Sequence, residues 1–234
     1  MREVPKQLAF DLPLDPRYGR EDFLVSPSNE AAYSLIERWP DWPDTTLLLR
    51  GPRGSGKSHL ACIWATAAKA WTVQSTEVRT DDVPHLVSNG ALAIEDADRG
   101  ERDEAALFHL LNLARERNAS LLITCQTSPD RWGLGTADLL SRLRLAPSVS
   151  LEPPDDALLK AVLVKLFVDR QLVVDTSVVD YIAVRIERSL RRAAEVVAEL
   201  DREALSRGRR ISRPVAAAVL GSAGGDEQEG DETE

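Results

Sequence analysis

The sequence has little cysteine, little lysine and no long apolar run, and each shortage excludes something. Its two cysteines, Cys62 and Cys125, stand far apart and form no CxxC pair. A disulfide framework or a zinc site is therefore not expected, and a reducing, cytoplasmic setting fits. No apolar run approaches the roughly 18 residues needed to cross a bilayer. The first ten residues, MREVPKQLAF, hold no apolar stretch of signal-peptide type. Neither membrane insertion nor secretion is expected. Positive charge is also in short supply: 29 Lys and Arg against 38 Asp and Glu leave a net charge of -9. Neutralising nucleic-acid phosphates needs the opposite sign, so no direct sequence-specific DNA binding is expected. Only Lys6, Lys57, Lys69, Lys160 and Lys165 are lysines. With arginine so common, a single arginine carries little information by itself.

What is present points to a folded α/β protein. The chain has 234 residues, 43% of them hydrophobic, which suits one large α/β domain or a base domain with a small second module. The acid excess is uneven, since residues 221–234 contain six acids and no base. That tail is expected to be disordered and solvating, because it has no apolar side chain large enough to offset ordering entropy. An acidic decoy for a basic partner would look the same.

Short apolar runs alternate with helical periods between residues 46 and 152. Segments 46–50, 71–75, 91–95, 120–124 and 148–152 read as the strands of a five-stranded parallel sheet, since most are apolar throughout. Between them, Leu60, Ile63, Trp64 and Ala67 fall on one helical face, as do Leu107, Leu110, Leu111 and Ala114. Leu139, Leu140 and Leu143 mark a further helix with Thr136 as its N-cap. Ser28 is placed to cap an earlier helix bearing Ala32, Leu35, Ile36 and Trp39. After Pro153 and Pro154 only helical periods remain, in stretches 158–167, 178–186, 190–204 and 214–220, with Gly221 past the end of the last. The expected organisation is an extended segment over 1–20, an α/β base over 21–153, a small all-helical lid over 154–220 and the acidic tail over 221–234.

The segment Gly51, Pro52, Arg53, Gly54, Ser55, Gly56, Lys57, Ser58 satisfies GxxxxGK followed by Ser or Thr, directly after a strand and before a helix opening at His59. The glycines let backbone N–H groups converge on phosphates, Lys57 reaches the terminal ones, and the Ser58 hydroxyl can ligate Mg2+. A site for ADP or ATP is expected. Such a loop is normally paired with acids at the end of a second strand, and Glu95 and Asp96 supply them. The usual first acid is Asp; here the first is one methylene longer and the second one shorter. Nucleotide and Mg2+ binding should survive this, but intrinsic ATPase turnover is expected to be weak, because phosphoryl transfer depends on positioning.

With these elements in place, the chain resembles an AAA+ ATPase of the DnaA-related branch. Phe23, Val25, Ser28 and Asn29 are similar to the F-x-V-x-x-S-N segment which that family uses beside the adenine ring. Cys125 and Gln126 stand at its sensor I position. Ser141, Arg142 and Leu143 resemble the element that presents an arginine finger to a neighbour's nucleotide. Ser189, Leu190 and Arg191 resemble the lid motif whose arginine touches the chain's own phosphates. The resemblance covers roughly residues 20–215 and implies that Phe23, Val25, Asn29, the loop 51–58, His59 and Arg191 bind nucleotide, with Arg142 catalytic in trans. For Arg191 the local alternative is an i, i+4 pair with Glu187 or Glu195. Two family features are missing: the helix-turn-helix domain that follows the lid in initiators, and the helices inserted between the second and third strands. Residues 76–90 read only as a short connector there.

Near the N-terminus, Gln7, Leu8, Phe10, Asp11 and Leu12 resemble the QLxLxL hexapeptide with which bacterial proteins dock on the DNA polymerase III sliding clamp. Apolar anchors would supply affinity and Gln7 register; an amphipathic strand edge would show the same pattern. Clamp peptide and DnaA-like core together resemble the Hda proteins. That resemblance implies a regulator which holds ADP, docks on the DNA-loaded clamp and presents Arg142 to ATP bound by DnaA, preventing over-initiation. AAA+ modules commonly assemble through the nucleotide edge, so a homodimer is compatible with it. Two other readings stay open: an autonomous ATPase acting as a DnaA-like helicase loader, and an interaction module with ADP as a structural ligand.

Overall fold

The computed structural model describes residues 18–207 and 210–223. The clamp-like peptide at 7–12 and residues 224–234 of the acidic tail lie outside them. The chain divides into two compact units, with the boundary between Pro153 and Pro154.

In the first unit, β1 (Thr46–Arg50), β2 (Trp71–Gln74), β3 (Ala91–Glu95), β4 (Ser120–Cys125) and β5 (Ser148–Ser150) form one five-stranded sheet in the order β2-β3-β4-β1-β5. Every pairing is parallel. Parallel neighbours need crossovers, and these run through α2 (Lys57–Ala68), α3 (Val83–Leu86), α4 (Glu104–Glu116) and α5 (Ala137–Leu145), while α1 (Glu30–Glu37) precedes β1. Successive side chains of a strand serve opposite faces. Leu47 and Leu49 accordingly pack with Ile36, Leu60 and Trp64 on the side of α1 and α2. Leu48, Leu92 and Ile94 pack with Leu86, Leu107, Leu110 and Leu139 on the side of α3, α4 and α5.

The fold class is the one expected, and the departures lie at the edges. Both β2 and β5 are shorter than their apolar patterns, and β2 has no buried residue. An edge strand has one neighbour, so its side chains are only partly covered. Ala67 is exposed in the last turn of α2 although it shares the face of Leu60 and Trp64. The stretch 76–90 is more than a connector, since it contains α3. The cap of α1 is Asn29 rather than Ser28. The buried Asn29 amide accepts from Ser26 N–H and donates to Leu24 O, each at 2.9 Å. The Ser28 hydroxyl instead meets Ser26 Oγ at 2.7 Å. Helix α1 also ends at Glu37, short of Trp39.

The second unit contains α6 (Asp156–Asp169), α7 (Thr176–Ala183), α8 (Leu190–Arg207) and α9 (Arg213–Ala223), packed around Leu163, Phe167, Ile182, Val197 and Leu200. Local caps begin three of them. Asp155 accepts from Leu158 N–H at 2.8 Å, Asp175 from Ser177 N–H at 2.8 Å, and Ser189 Oγ from Arg192 N–H at 3.2 Å. Helix α7 stops before Ile186, and α9 runs through Gly221 instead of ending there. A glycine costs a helix only about 1 kcal/mol relative to alanine, too little to stop one that packs.

Thr136 takes the N-cap position of α5, but its hydroxyl makes no capping bond. The Glu104 carboxylate of α4 does the work from outside, accepting from the N–H of Gly135 at 3.0 Å and of Thr136 at 2.7 Å. Hydrogen bonds from Thr136 and Gly135 hold the Glu104 carboxyl below its ordinary value. A depressed carboxyl contributes stability above its unfolded value and loses it as pH falls through the folded one. Glu104→Ala is expected to lower unfolding free energy at pH 7 by about 0.5–1 kcal/mol, the low end for capping bonds because the group is partly exposed. The difference should shrink in acid; identical urea midpoints at pH 7 would contradict this role.

Candidate functional site

Parallel pairing sets the carboxyl ends of β3, β4 and β1 side by side, where an open parallel sheet offers its crevice. Leaving β1, the chain turns through Gly54 (φ 75°) and Gly56 (φ 101°) into α2, torsions that glycine enters without steric cost. Gly51 is needed for a different reason: a Cβ there would stand 2.7 Å from Leu151 O and from Ser55 Oγ. Lys57 is buried, and its Nζ donates to Gly51 O at 2.7 Å and Pro52 O at 2.9 Å. Burial pulls this ammonium below its ordinary value, with Asp96 opposing. Ser55 Oγ is buried without a hydrogen-bond partner, and among the described residues no protein group accepts from the N–H of Gly54 or Gly56. Unspent donors around a cradle that a Cβ would fill suit a polyphosphate.

Across from the loop, Ser58 Oγ donates to Glu95 Oε2 over a long 3.4 Å. Burial pushes the Glu95 carboxyl above its ordinary value, against bonds from Ser58 and Gln74. Asp96 turns out of the strand into the left-handed region (φ 51°). Its N–H donates to Thr124 Oγ1 at 3.0 Å, and its carbonyl accepts from Ser75 Oγ at 3.0 Å. Among the described residues no group of three or more His, Cys, Asp or Glu could hold a metal. That does not disfavour Mg2+, which is usually held by one or two carboxylates together with substrate phosphates and water.

Between loop and acids lies the end of β4. The buried Cys125 accepts from Gly51 N–H through its carbonyl at 3.1 Å, and burial pushes its thiol up to about 12. The side-chain amide of Gln126 faces the Arg99 guanidinium. Its N–H and that of Thr127 both donate to Asp98 Oδ2 at 2.9 Å, and Thr127 Oγ1 does so at 3.0 Å. Thr124, Ser75 and Asp98 were not singled out from the sequence. The available signal is polar side chains at or just past the ends of apolar strands.

On the other flank, Phe23 stacks on Tyr33 with centroids 5.4 Å apart, and His59 meets Phe23 and Tyr18 edge-on at 5.2 and 5.3 Å. His59 Nε2 lies 2.9 Å from Gly19 O. Val25 is 48% exposed. Asn29 is different in kind, since its amide is spent on Ser26 and Leu24 and shapes the turn.

The two arginines sit in contrasting settings. Arg142, exposed on α5, has its Cζ 5.2 Å from the centroid of the Phe108 ring, and its guanidinium makes no ion pair or hydrogen bond among the described residues. Arg144 is paired with Asp130. Arg191, in the first turn of α8 in the second unit, takes the i, i+4 alternative, with Nε 2.7 Å from Glu195 Oε1.

No family model matches the chain. The chromosomal replication initiator protein DnaA of Borreliella burgdorferi is 23% identical over 212 residues, 80% of this chain and 44% of that protein. The chain therefore spans less than half the length of this curated relative. Domain III of the Thermotoga maritima replication initiation protein DnaA is similar with a TM-score of 0.74 at 20% identity, covering 90% of this chain and 98% of that one. AMPPCP-bound DnaA from Aquifex aeolicus gives 0.64 at 20% identity, over 78% of this chain and 64% of that one. The fold is of the AAA+ type, an α/β base followed by an all-helical unit, and the chain is similar to the AAA+ domain of DnaA. Among the described residues no helix is long and apolar enough to cross a membrane.

The β4 end gives a direct chemical test. Cys125 is buried and neutral across the working pH range, whereas Cys62 is partly exposed, and thiolate and access together set alkylation. Iodoacetamide at pH 8 is expected to label Cys62 and spare Cys125, as read by peptide mass. Comparable labelling of both in the folded protein would contradict the site as described.

Proposed function

We propose that this protein binds ADP or ATP at residues 51–58, docks on the DNA polymerase III sliding clamp through Gln7, Leu8, Phe10, Asp11 and Leu12, and stimulates hydrolysis of ATP held by DnaA. The effect would be to restrain repeated initiation of replication. The observation that carries this reading is Arg142, exposed and without a counter-ion among the described residues. It keeps its charge and its N–H donors for an acceptor outside the chain. An arginine presented in this way to a transferring phosphoryl group accelerates hydrolysis by roughly 10³–10⁵.

Other residues take supporting parts. Lys57 would exchange its two carbonyl acceptors for phosphate oxygens, joined by the N–H groups of Gly54 and Gly56 and by Ser55. Phe23, Val25 and His59 would flank the base, with Asn29 holding their turn. Ser58, Glu95 and Asp96 would hold Mg2+, which when bound neutralises charge on the terminal phosphates. Arg191 would leave Glu195, an exposed pair worth only about 0.3–0.5 kcal/mol and so no lock. The longer side chain of Glu95 and the turned backbone of Asp96 support a site that holds nucleotide and turns it over slowly. A homodimer through the nucleotide edge fits the same arrangement.

Arg142→Ala is expected to keep ADP and clamp binding while losing stimulated hydrolysis by on the order of 10³-fold. Stimulation at the wild-type rate would reject the finger. Gln7→Ala combined with Leu8→Ala should abolish co-elution with the clamp in size-exclusion chromatography; unchanged co-elution would reject the docking segment. Rapid ATP turnover by the isolated protein would favour an autonomous helicase loader instead.

A further inference from the structure

Two residues one turn apart on α4 govern where α5 lies. Glu104 and Phe108 are spaced i, i+4 and share a helical face. The Glu104 carboxylate accepts from Gly135 and Thr136 N–H at the start of α5, at 3.0 and 2.7 Å. Further along the same face, the Phe108 ring meets the Arg142 guanidinium, its centroid 5.2 Å from Cζ. Leu139 and Leu143, on the buried side of α5, sit in one core with Leu107 and Leu110 of α4 and fix the rotation of the helix. The backbone at Arg142 is thereby set, and the remaining freedom is that of a long side chain.

A surface arginine populates many rotamers, and an ion pair is one way to order it. Arg144, two residues further on, is held so by Asp130. A carboxylate, however, compensates the charge and occupies N–H groups. An aromatic face does neither. Its quadrupole attracts the cation, while the in-plane N–H donors of the guanidinium stay unspent. Phe108 is partly buried and packed against the core, so the ring itself is held.

We infer that Phe108 is a positioning residue for Arg142, holding its guanidinium in a restricted arc with charge and donors intact for a polyphosphate presented by a partner. The inference rests on the finger reading of Arg142. A contact of this kind at an exposed site biases an equilibrium by about two- to fivefold. Pre-ordering a reacting group shows in the rate of the step it serves.

The test uses the full chain with DNA-loaded clamp and ATP-charged DnaA, following single-turnover hydrolysis at limiting and saturating concentrations. Phe108→Leu is expected to lower the maximal stimulated rate about two- to fivefold, leaving clamp binding and the half-saturating concentration unchanged. Phe108→Tyr and Phe108→Trp keep a π face and should match wild type. Placed in an Arg142→Ala background, Phe108→Leu should change nothing further. Should Phe108→Leu fold poorly, the unbranched Phe108→Met carries the same expectation. A wild-type rate for the folded, ring-less variant overturns the positioning role. A loss in Phe108→Tyr as large as in Phe108→Leu also overturns it, marking a packing role only. Neither result touches the finger reading, which falls only if Arg142→Ala stimulates as well as wild type.

Discussion

Burial of β1 on both faces is the constraint on which the rest of the base depends. Leu47, Leu48 and Leu49 are 0–1% exposed, and each such side chain contributes about 1.5–3 kcal/mol when removed from water. Three consecutive leucines cannot be satisfied by a sheet with one wet face. Helices must cover both sides, and β1 must lie inside the sheet, between β4 and β5. The chain leaving β1 therefore emerges from inside the carboxyl edge, between β4 and β5, hemmed by Leu151 of the segment that follows β5. Only a residue without a Cβ passes there, which is why Gly51 stands where it does.

The carboxyl edge is tied together by hydrogen bonds. Asp96 held by Thr124 and Ser75, Asp98 accepting from Gln126 and Thr127, and Cys125 accepting from Gly51 form a connected set of hydrogen bonds across β1, β3 and β4. The bonds to the Asp98 carboxylate contribute about 1.5–3 kcal/mol each and the neutral backbone bonds of Asp96 and Cys125 about 0.5–1.5 kcal/mol, against about 0.2–1 kcal/mol for an exposed ion pair. The acidic side is thus the fixed frame. Arg142 makes no ion pair or hydrogen bond among the described residues and is held only by the Phe108 ring; in the second unit, Arg191 is tied only to an exposed carboxylate.

Part of this was legible in the residues alone, for local reasons. Strand positions follow from apolar runs, helix faces from the spacing of Leu107, Leu110 and Leu111, and the tight turn after β1 from glycines and a lysine at set intervals. Those signals lie within a few residues of each other, and hydrophobic periodicity survives whatever the distant chain does. Where the reading slipped, a local preference met a small energy or a distant partner. Asn29 rather than Ser28 takes the cap position because its amide fixes the preceding turn through Ser26 and Leu24, while the Ser28 hydroxyl is turned to Ser26. Gly221 failed to stop α9 because its helical penalty is slight beside packing.

By itself, then, the sequence determined the α/β class, the strand set, the glycine-rich loop after β1 and the acids ending β3, all through short-range pattern. Tertiary structure alone decided the β2-β3-β4-β1-β5 order in three dimensions, the capping of α5 by Glu104, the anchoring of Gln126 and Thr127 by Asp98, and the ring under Arg142. Each of these joins residues that the chain keeps well apart, and nothing in the spacing of either partner encodes the other. Their energies arise only once burial has brought the elements together, with neighbours and local dielectric that belong to the folded state.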